Sequence, residues 1–323
     1  MKKTGKIKSF AIILVTAAVI LLFMSVTNYV LKPKYLYGDG FPTTATYKGF
    51  YELEDDSQKL LFLGSSHGAT GFNPEVLMNE YAIESYNLSC EQQNLFTSYY
   101  WLKEALKTQN PETVVLETSM LFLFTDEELA PKNANCTRKA FDFMRLSPNK
   151  MEAMVNASAV SKELGITSFI LPNTVYHTRW KELSKKDFTV KVSDLPGFSK
   201  GFYALSGSGV EGYAPIEAEG SDEFENYDNL MYNYLTKIVD LCREKNIRLI
   251  LVSTPSTLET RERFNTLNRI AQILDTELID FNDASVYNAS GYDFYNDNND
   301  DDHANESGAA KITSYLGKII TQQ

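Results

Sequence analysis

Cysteine is scarce: Cys90, Cys136 and Cys242 are the three in a chain of 323 residues. An odd number at wide spacing makes neither a disulfide framework nor a zinc-ligand pattern. Cys242 lies in a helical pattern and reads as core, while a Cys90–Cys136 bridge stays open. Histidine is equally scarce, with His67, His177 and His303, so chemistry that needs imidazole has few places to be. Acid is absent from residues 1–34, and charge of either sign is absent from Ser9 to Leu31. Internal repeats and low-complexity tracts are absent too, and 43% hydrophobic with 23% charged residues excludes collagen-like or disordered chains.

The 23 uncharged positions would span roughly 34 Å as a helix, enough for a bilayer core. Four lysines precede them, which predicts a cytoplasmic amino terminus. The alternative is a cleaved signal peptide, but the apolar stretch is long for one and no A-x-A site comes after it. Residues 1–34 are therefore expected to be a basic tail and a transmembrane signal anchor, crossing the cell membrane through residues 9–31. Residues 35–323 are expected to form one extracytoplasmic domain. The six lysines of residues 1–34 leave residues 35–323 with a net charge of −17 out of a total of −11. So acidic a domain is repelled by phosphate backbones, which argues against nucleic acid as a partner.

Residues 32–58, interrupted by Pro33, Gly38, Gly40 and Pro42, read as a juxtamembrane linker and the entry to the domain. Short apolar runs then alternate with helical patterns. Strands are predicted at 59–63, 85–89, 113–117, 247–253 and 277–281. Helices are predicted from Asn73-Pro74-Glu75 onward and over 95–106, 227–245, 258–274 and 306–320. Between about 122 and 226 the alternation fades, and that stretch reads as an insertion or cap over the sheet. The expected fold is α/β, a flavodoxin-like three-layer α/β/α arrangement with a parallel sheet, preceded by one transmembrane helix.

In such sheets ligands bind at the carboxyl ends of the strands, where three segments carry chemistry. Gly64-Ser65-Ser66-His67 comes after the first strand, where a sharp turn can present a hydroxyl and a backbone N–H to one substrate atom. Taken alone it is equally a simple turn. Asp300-Asp301-Asp302-His303 precedes the last helix and can supply a base with an orienting acid. Taken alone it is also an acidic surface loop or a calcium-binding loop, although it lacks the EF-hand spacing. Asn87-Leu88-Ser89-Cys90-Glu91-Gln92-Gln93 comes after the second strand and offers oxyanion donors at Ser89, Cys90 or Gln93, or only turn polarity.

Together LFLGSSHGATGFNP, YNLSCEQQN and DDDHANESGAAKITSYLGKII resemble the blocks of the SGNH (GDSL-like) hydrolase and acyltransferase superfamily. LILVSTPST and YHTRWKEL resemble segments of its membrane-anchored branch, near the D protein of teichoic-acid D-alanylation and the alginate O-acetylation proteins. The resemblance implies Ser66 as nucleophile, His303 as general base and Asp300 as its partner, with two further acids, Asp301 and Asp302, beside it as alternatives. It puts Ser89 where the block II oxyanion glycine often stands and Gln93 on a recurring glutamine. It also brings His67 toward the substrate, and with it the insertion segment carrying His177 and Arg179, which on the residues alone is equally a structural contact centred on Trp180. Two departures stand out: Ser89 is not glycine, and Glu117-Thr118-Ser119 replaces the GxND block. No metal or organic cofactor is implied. The implied activity is O-acyl transfer from an acylated donor to a cell-envelope polymer, beside a membrane-bound O-acyltransferase partner. Removal of acyl groups by a surface esterase, or a non-catalytic binding role on the same fold, are the alternatives.

Overall fold

The computed structural model describes residues 2–33, 43–122, 134–161, 164–189, 198–217, 223–227 and 229–322. Seven strands are present among them: β1 Leu60–Leu63, β2 Ser85–Asn87, β3 Thr113–Glu117, β4 Phe198–Ser199, β5 Phe202–Tyr203, β6 Arg248–Ser253 and β7 Glu277–Asp280. Five form one sheet in the order β2-β1-β3-β6-β7, with every neighbouring pair parallel. The register pairs Phe62 with Val115, Val115 with Ile250 and Leu251 with Leu278. β4 and β5 make a separate antiparallel ribbon.

The apolar runs are continuous because both faces of the sheet are covered. Alternate residues point into different cores. Leu61, Leu63, Val114, Leu116 and Leu251 pack with Trp101, Leu102, Leu235, Ile238 and Ile270 on one face. Leu60, Phe62, Val115, Ile250 and Val252 pack with Leu77, Ile312 and Leu316 on the other. The first group draws on helices Leu95–Ala105, Leu230–Glu244 and Arg261–Ile273, the second on Pro74–Tyr81 and Glu306–Thr321. Each fully buried Leu, Val or Phe contributes roughly 1.5–3 kcal/mol, so β1 alone helps fasten both layers. The three-layer α/β/α architecture expected from the sequence is the observed one.

The supposed linker contains a structured element. Thr43–Phe50 is a helix, with Tyr47 stacked on Trp101 at 4.2 Å between ring centroids. The helix breakers cluster before residue 43, and the buried aromatics Tyr47 and Phe50 fasten the helix to the core. The insertion divides between two places. Helices Ala134–Phe143 and Pro148–Val160 pack beside Leu95–Ala105, extending one helical layer. The later part, 198–217, crosses the carboxyl edge of the sheet. Lys200 accepts a hydrogen bond from Asn87 N–H at the end of β2, and Ile216 N–H donates to Asn282 just past β7. The helix Lys2–Leu31 includes Ile7–Leu31, long and apolar enough to span a membrane. Cys90 and Cys242 are buried; the Cys136 side chain, and with it the Cys90–Cys136 bridge, lies outside the described residues.

Candidate active site

The chain leaves β1 in one direction to reach β2 and crosses to the other side for β3. This reversal opens a crevice at the carboxyl ends of β1 and β3. Gly64 has φ +154°, and a Cβ there would stand 2.5 Å from Glu117 Cβ. Only glycine lets the two strand ends approach this closely. Ser65 comes next and caps the short helix Ser66–Gly71, its Oγ accepting from His67 N–H at 3.2 Å. Ser65 Oγ donates to Glu117 Oε2 at 2.6 Å, and Ser65 N–H donates to the same oxygen at 3.0 Å. The other Glu117 oxygen accepts Ser119 N–H. Glu117 is fully buried, and its charge is satisfied by these donors. It fixes the turn that presents Ser66.

Ser66 Oγ lies 2.8 Å from His303 Nε2. His303 sits in a loop closed by an antiparallel bridge between Asn298 and Ala304, with Asn299 N–H donating to His303 O at 2.8 Å. Thr257 N–H ties the loop to the end of β6 through Asp301 O at 2.9 Å. Asn305 then caps the closing helix through Gly308 N–H at 3.0 Å. Two carboxylates reach His303 Nδ1: Asp300 Oδ1 at 2.9 Å and Asp302 Oδ1 at 2.9 Å. Asp300 Oδ1 also accepts the N–H groups of His303, at 2.9 Å, and Asp302, at 3.2 Å, so it shapes the loop as well. Asp302 Oδ2 reaches His67 Nε2 at 3.1 Å.

Burial works to push the Asp302 carboxyl up, but hydrogen bonds from His303 and His67 and their charges outweigh it and hold the group well below the usual carboxylate range. Burial works to lower His303, but the hydrogen bond and charge of Asp302, then of Asp300, raise it above the ordinary imidazole value. The arrangement can take a proton from Ser66 and stabilise the imidazolium that results.

Of the residues singled out from the sequence, Ser66, His303 and Asp300 meet. His67 meets them too, but in another posture than expected: it is buried, with Nε2 on Asp302 and Nδ1 4.0 Å from Glu117 Oε1. It touches the acid of the cluster and not an open substrate face. Ser89 N–H donates to Asn87 Oδ1 at 3.0 Å, and Cys90 N–H donates to Gly64 O at 3.0 Å, so neither backbone donor is open to an oxyanion. Gln93 is engaged at both ends, accepting from Tyr47 OH at 2.6 Å and donating to Ser98 Oγ at 3.1 Å. Arg179 donates to Leu31 O at 2.8 Å and to Asp187 Oδ1 at 2.6 Å, joining the insertion to the end of the amino-terminal helix. Asp302, one of the two further acids beside Asp300, and Glu117, which stands in place of the GxND block, also join the site. An acid beside His303 is visible in the loop, but nothing in the sequence shows which carboxylate oxygens face Nδ1.

Among the described residues, His67, Asp302 and His303 bring one potential metal donor each within 4.8 Å of the others. Asp302 already hydrogen-bonds both imidazoles, so a cation would have to displace the protons that hold the cluster together.

No family model matches the chain, and no curated protein matches it. Solved structures do. A lipolytic protein of the G-D-S-L family from Desulfitobacterium hafniense is 11% identical at a TM-score of 0.37, covering 81% of this chain and 99% of its own. A GDSL-like lipase from Bacteroides thetaiotaomicron is 10% identical at a TM-score of 0.40, covering 86% and 98%. An acylhydrolase from Bacteroides fragilis is 10% identical at 0.37, covering 85% and 94%.

Proposed function

We propose that this chain is a serine esterase or O-acyltransferase of the SGNH type, with Ser66 as nucleophile. The observation that carries the reading is the 2.8 Å contact of Ser66 Oγ with an imidazole whose other nitrogen is held by carboxylates. His303 Nε2 takes the Ser66 proton as Oγ attacks an ester or thioester carbonyl. His303 Nδ1–H stays directed at Asp300 and Asp302, which balance the positive charge. His303 then gives the proton to the leaving alcohol or thiol, and an acyl-serine remains. Water or an acceptor hydroxyl, activated by the same imidazole, releases the acyl group. Ser66 N–H, at the first position of its helix, has no intrahelical acceptor and is available to the oxyanion.

The apolar amino-terminal helix supports a finer reading: a membrane-held domain outside the cytoplasm that moves acyl groups onto a cell-envelope polymer, with a membrane-bound O-acyltransferase supplying the donor. Removal of acyl groups would use the same residues. The engaged Ser89 N–H favours a further alternative, a binding protein on this fold that lacks turnover. The deciding experiment treats the purified chain and Ser66→Ala with a serine-reactive fluorophosphonate and a simple acetyl ester. Labelling at Ser66 with ester turnover, both lost in the variant, is the expected result. A folded chain that neither labels nor turns over ester would leave the binding role.

A further inference from the structure

The end of the apolar helix is bonded to the insertion. Thr27 Oγ1 accepts from Asn173 Nδ2 at 2.6 Å, and Asn28 Oδ1 accepts from Asn173 N–H at 3.1 Å. Arg179 donates to Leu31 O at 2.8 Å, satisfying a carbonyl that the helix end leaves without an internal partner. Arg179 is itself fixed by Asp187, which is buried and accepts Ser184 N–H at 2.9 Å. Beyond the helix, Lys32 hydrogen-bonds Asp142 O and lies 4.5 Å over the Phe143 ring. These bonds hold residues 166–188 at the level of residues 27–31, a height of about one helical turn. If Ile7–Leu31 crosses a bilayer, this is the level of the headgroups.

The surface of residues 166–188 suits that level. Trp180 is 64% exposed and Ile170 59% exposed, while the chain's other tryptophan, Trp101, is fully buried. Trp180 carries Lys181 Nζ 5.6 Å from its ring centroid. An exposed tryptophan beside a lysine is the pairing that favours the interface of a membrane, where the ring meets the acyl boundary and the ammonium meets phosphate. The charge agrees. Residues 166–188 hold Arg179, Lys181, Lys185 and Lys186 against Glu182 and Asp187, a net positive segment on a domain that is otherwise strongly acidic.

We infer that residues 166–188 are a second membrane contact, a foot resting in the headgroup layer, with the Trp180 ring inserted and lipid as its occupant. The inference rests on the anchor reading and is independent of the chemistry at Ser66. Helix and foot together fix the tilt of the domain, and with it the height of Ser66 above the bilayer.

The test uses the full chain reconstituted in vesicles of phosphatidylcholine and phosphatidylglycerol, with and without brominated acyl chains. Alkaline extraction reports whether the helix is inserted. Tryptophan emission is compared between the parent chain and Trp180→Phe, whose exposed position leaves the fold unaffected. The expected result is an extraction-resistant chain in which brominated lipid removes the emission component that Trp180→Phe lacks, at least halving it, while Trp101 emission persists. An inserted chain whose Trp180 is quenched by aqueous iodide and not by brominated lipid overturns the foot and leaves the anchor standing. A chain stripped from vesicles at high pH overturns both.

Discussion

Asp302→Asn tests how the cluster divides its work. His303 Nδ1 is equidistant from two carboxylates, yet their circumstances differ. Asp300 is the more exposed and spends Oδ1 on two backbone N–H groups, while Asp302 is held by both histidines. Asp302 is therefore expected to carry most of the charge stabilisation of His303. A hydrogen bond to a charged group contributes about 1.5–3 kcal/mol, so losing it should lower kcat/KM about 10- to 150-fold. Loss of about 10⁴-fold, the cost when the tautomer is left wholly unspecified, is not expected, because Asp300 remains to orient Nδ1–H. The pH profile gives a sharper readout. The base must be neutral to act, so activity falls as pH drops through the pKa of His303. That pKa is raised in the parent chain, chiefly by Asp302 against the lowering effect of burial. Removing Asp302 should shift the acid limb of kcat/KM to lower pH, measured with an acetyl ester across the range from mildly acidic to mildly alkaline. Asp300→Asn should shift it less and should cost little folding stability, since the amide oxygen still accepts the two backbone N–H groups and only the bond from Asn299 Nδ2 loses its acceptor. An unmoved acid limb in Asp302→Asn, with a large shift in Asp300→Asn, would refute this division.

His67→Gln should loosen Asp302 and move the acid limb in the same direction by a smaller step, with a loss of activity of about 2- to 12-fold for one ordinary hydrogen bond. Glu117→Gln replaces one of two accepting oxygens by a donor, against Ser65 or Ser119, and should cost about 1–3 kcal/mol in a denaturant titration while slowing fluorophosphonate labelling of Ser66. Gly64→Ala should be more harmful, since its Cβ would collide with Glu117 and its φ is one that L residues rarely adopt; loss of the folded chain on thermal melting is the expected result. Burial pushes the Asp280 carboxyl up to about 6. A raised carboxyl costs the folded state stability as pH rises through that pKa, and costs nothing at a pH low enough to protonate it in both states. Asp280→Asn should therefore raise the melting temperature at about pH 8 and leave it nearly unchanged at about pH 4.

The elements of the sheet are legible in the sequence because their signals are local. Four apolar runs of strand length and the weaker Ser85–Ser89 lie between helical patterns, and the observed strands fall within a residue or two of the predicted ones. The caps are legible for the same reason: Asn73 accepts Glu75 N–H as the Asn-Pro-Glu sequence implies. What the sequence hides depends on which groups the folded chain brings together, near or far along it. Thr43–Phe50 is helical chiefly because Tyr47 and Phe50 find Trp101. Ser89 looks like an oxyanion donor until Asn87 Oδ1 claims its N–H two residues away. Arg179 carries charge in a promising motif, but its bonds run to the end of the amino-terminal helix, 148 positions earlier in the chain.

Glu117 shows why local pattern and site chemistry diverge here. In the sequence it is merely what stands in place of a GxND block. In the fold it occupies the end of β3, next to β1, at the reversal of strand order, and it takes both donors of Ser65. A buried carboxylate there does what several residues of a longer motif would otherwise share: it closes the turn, sets the first residues of the helix and so aims Ser66 at His303. The same carboxylate lies 4.0 Å from His67 Nδ1, and His67 holds Asp302, and Asp302 holds His303. Nucleophile and base are thus supported by one connected set of acids and imidazoles, running from the floor of the sheet to the loop before the last helix. A change at Glu117 should therefore be felt at both Ser66 and His303, whereas a change at Asp300 should reach the imidazole and its loop without disturbing the turn that presents Ser66.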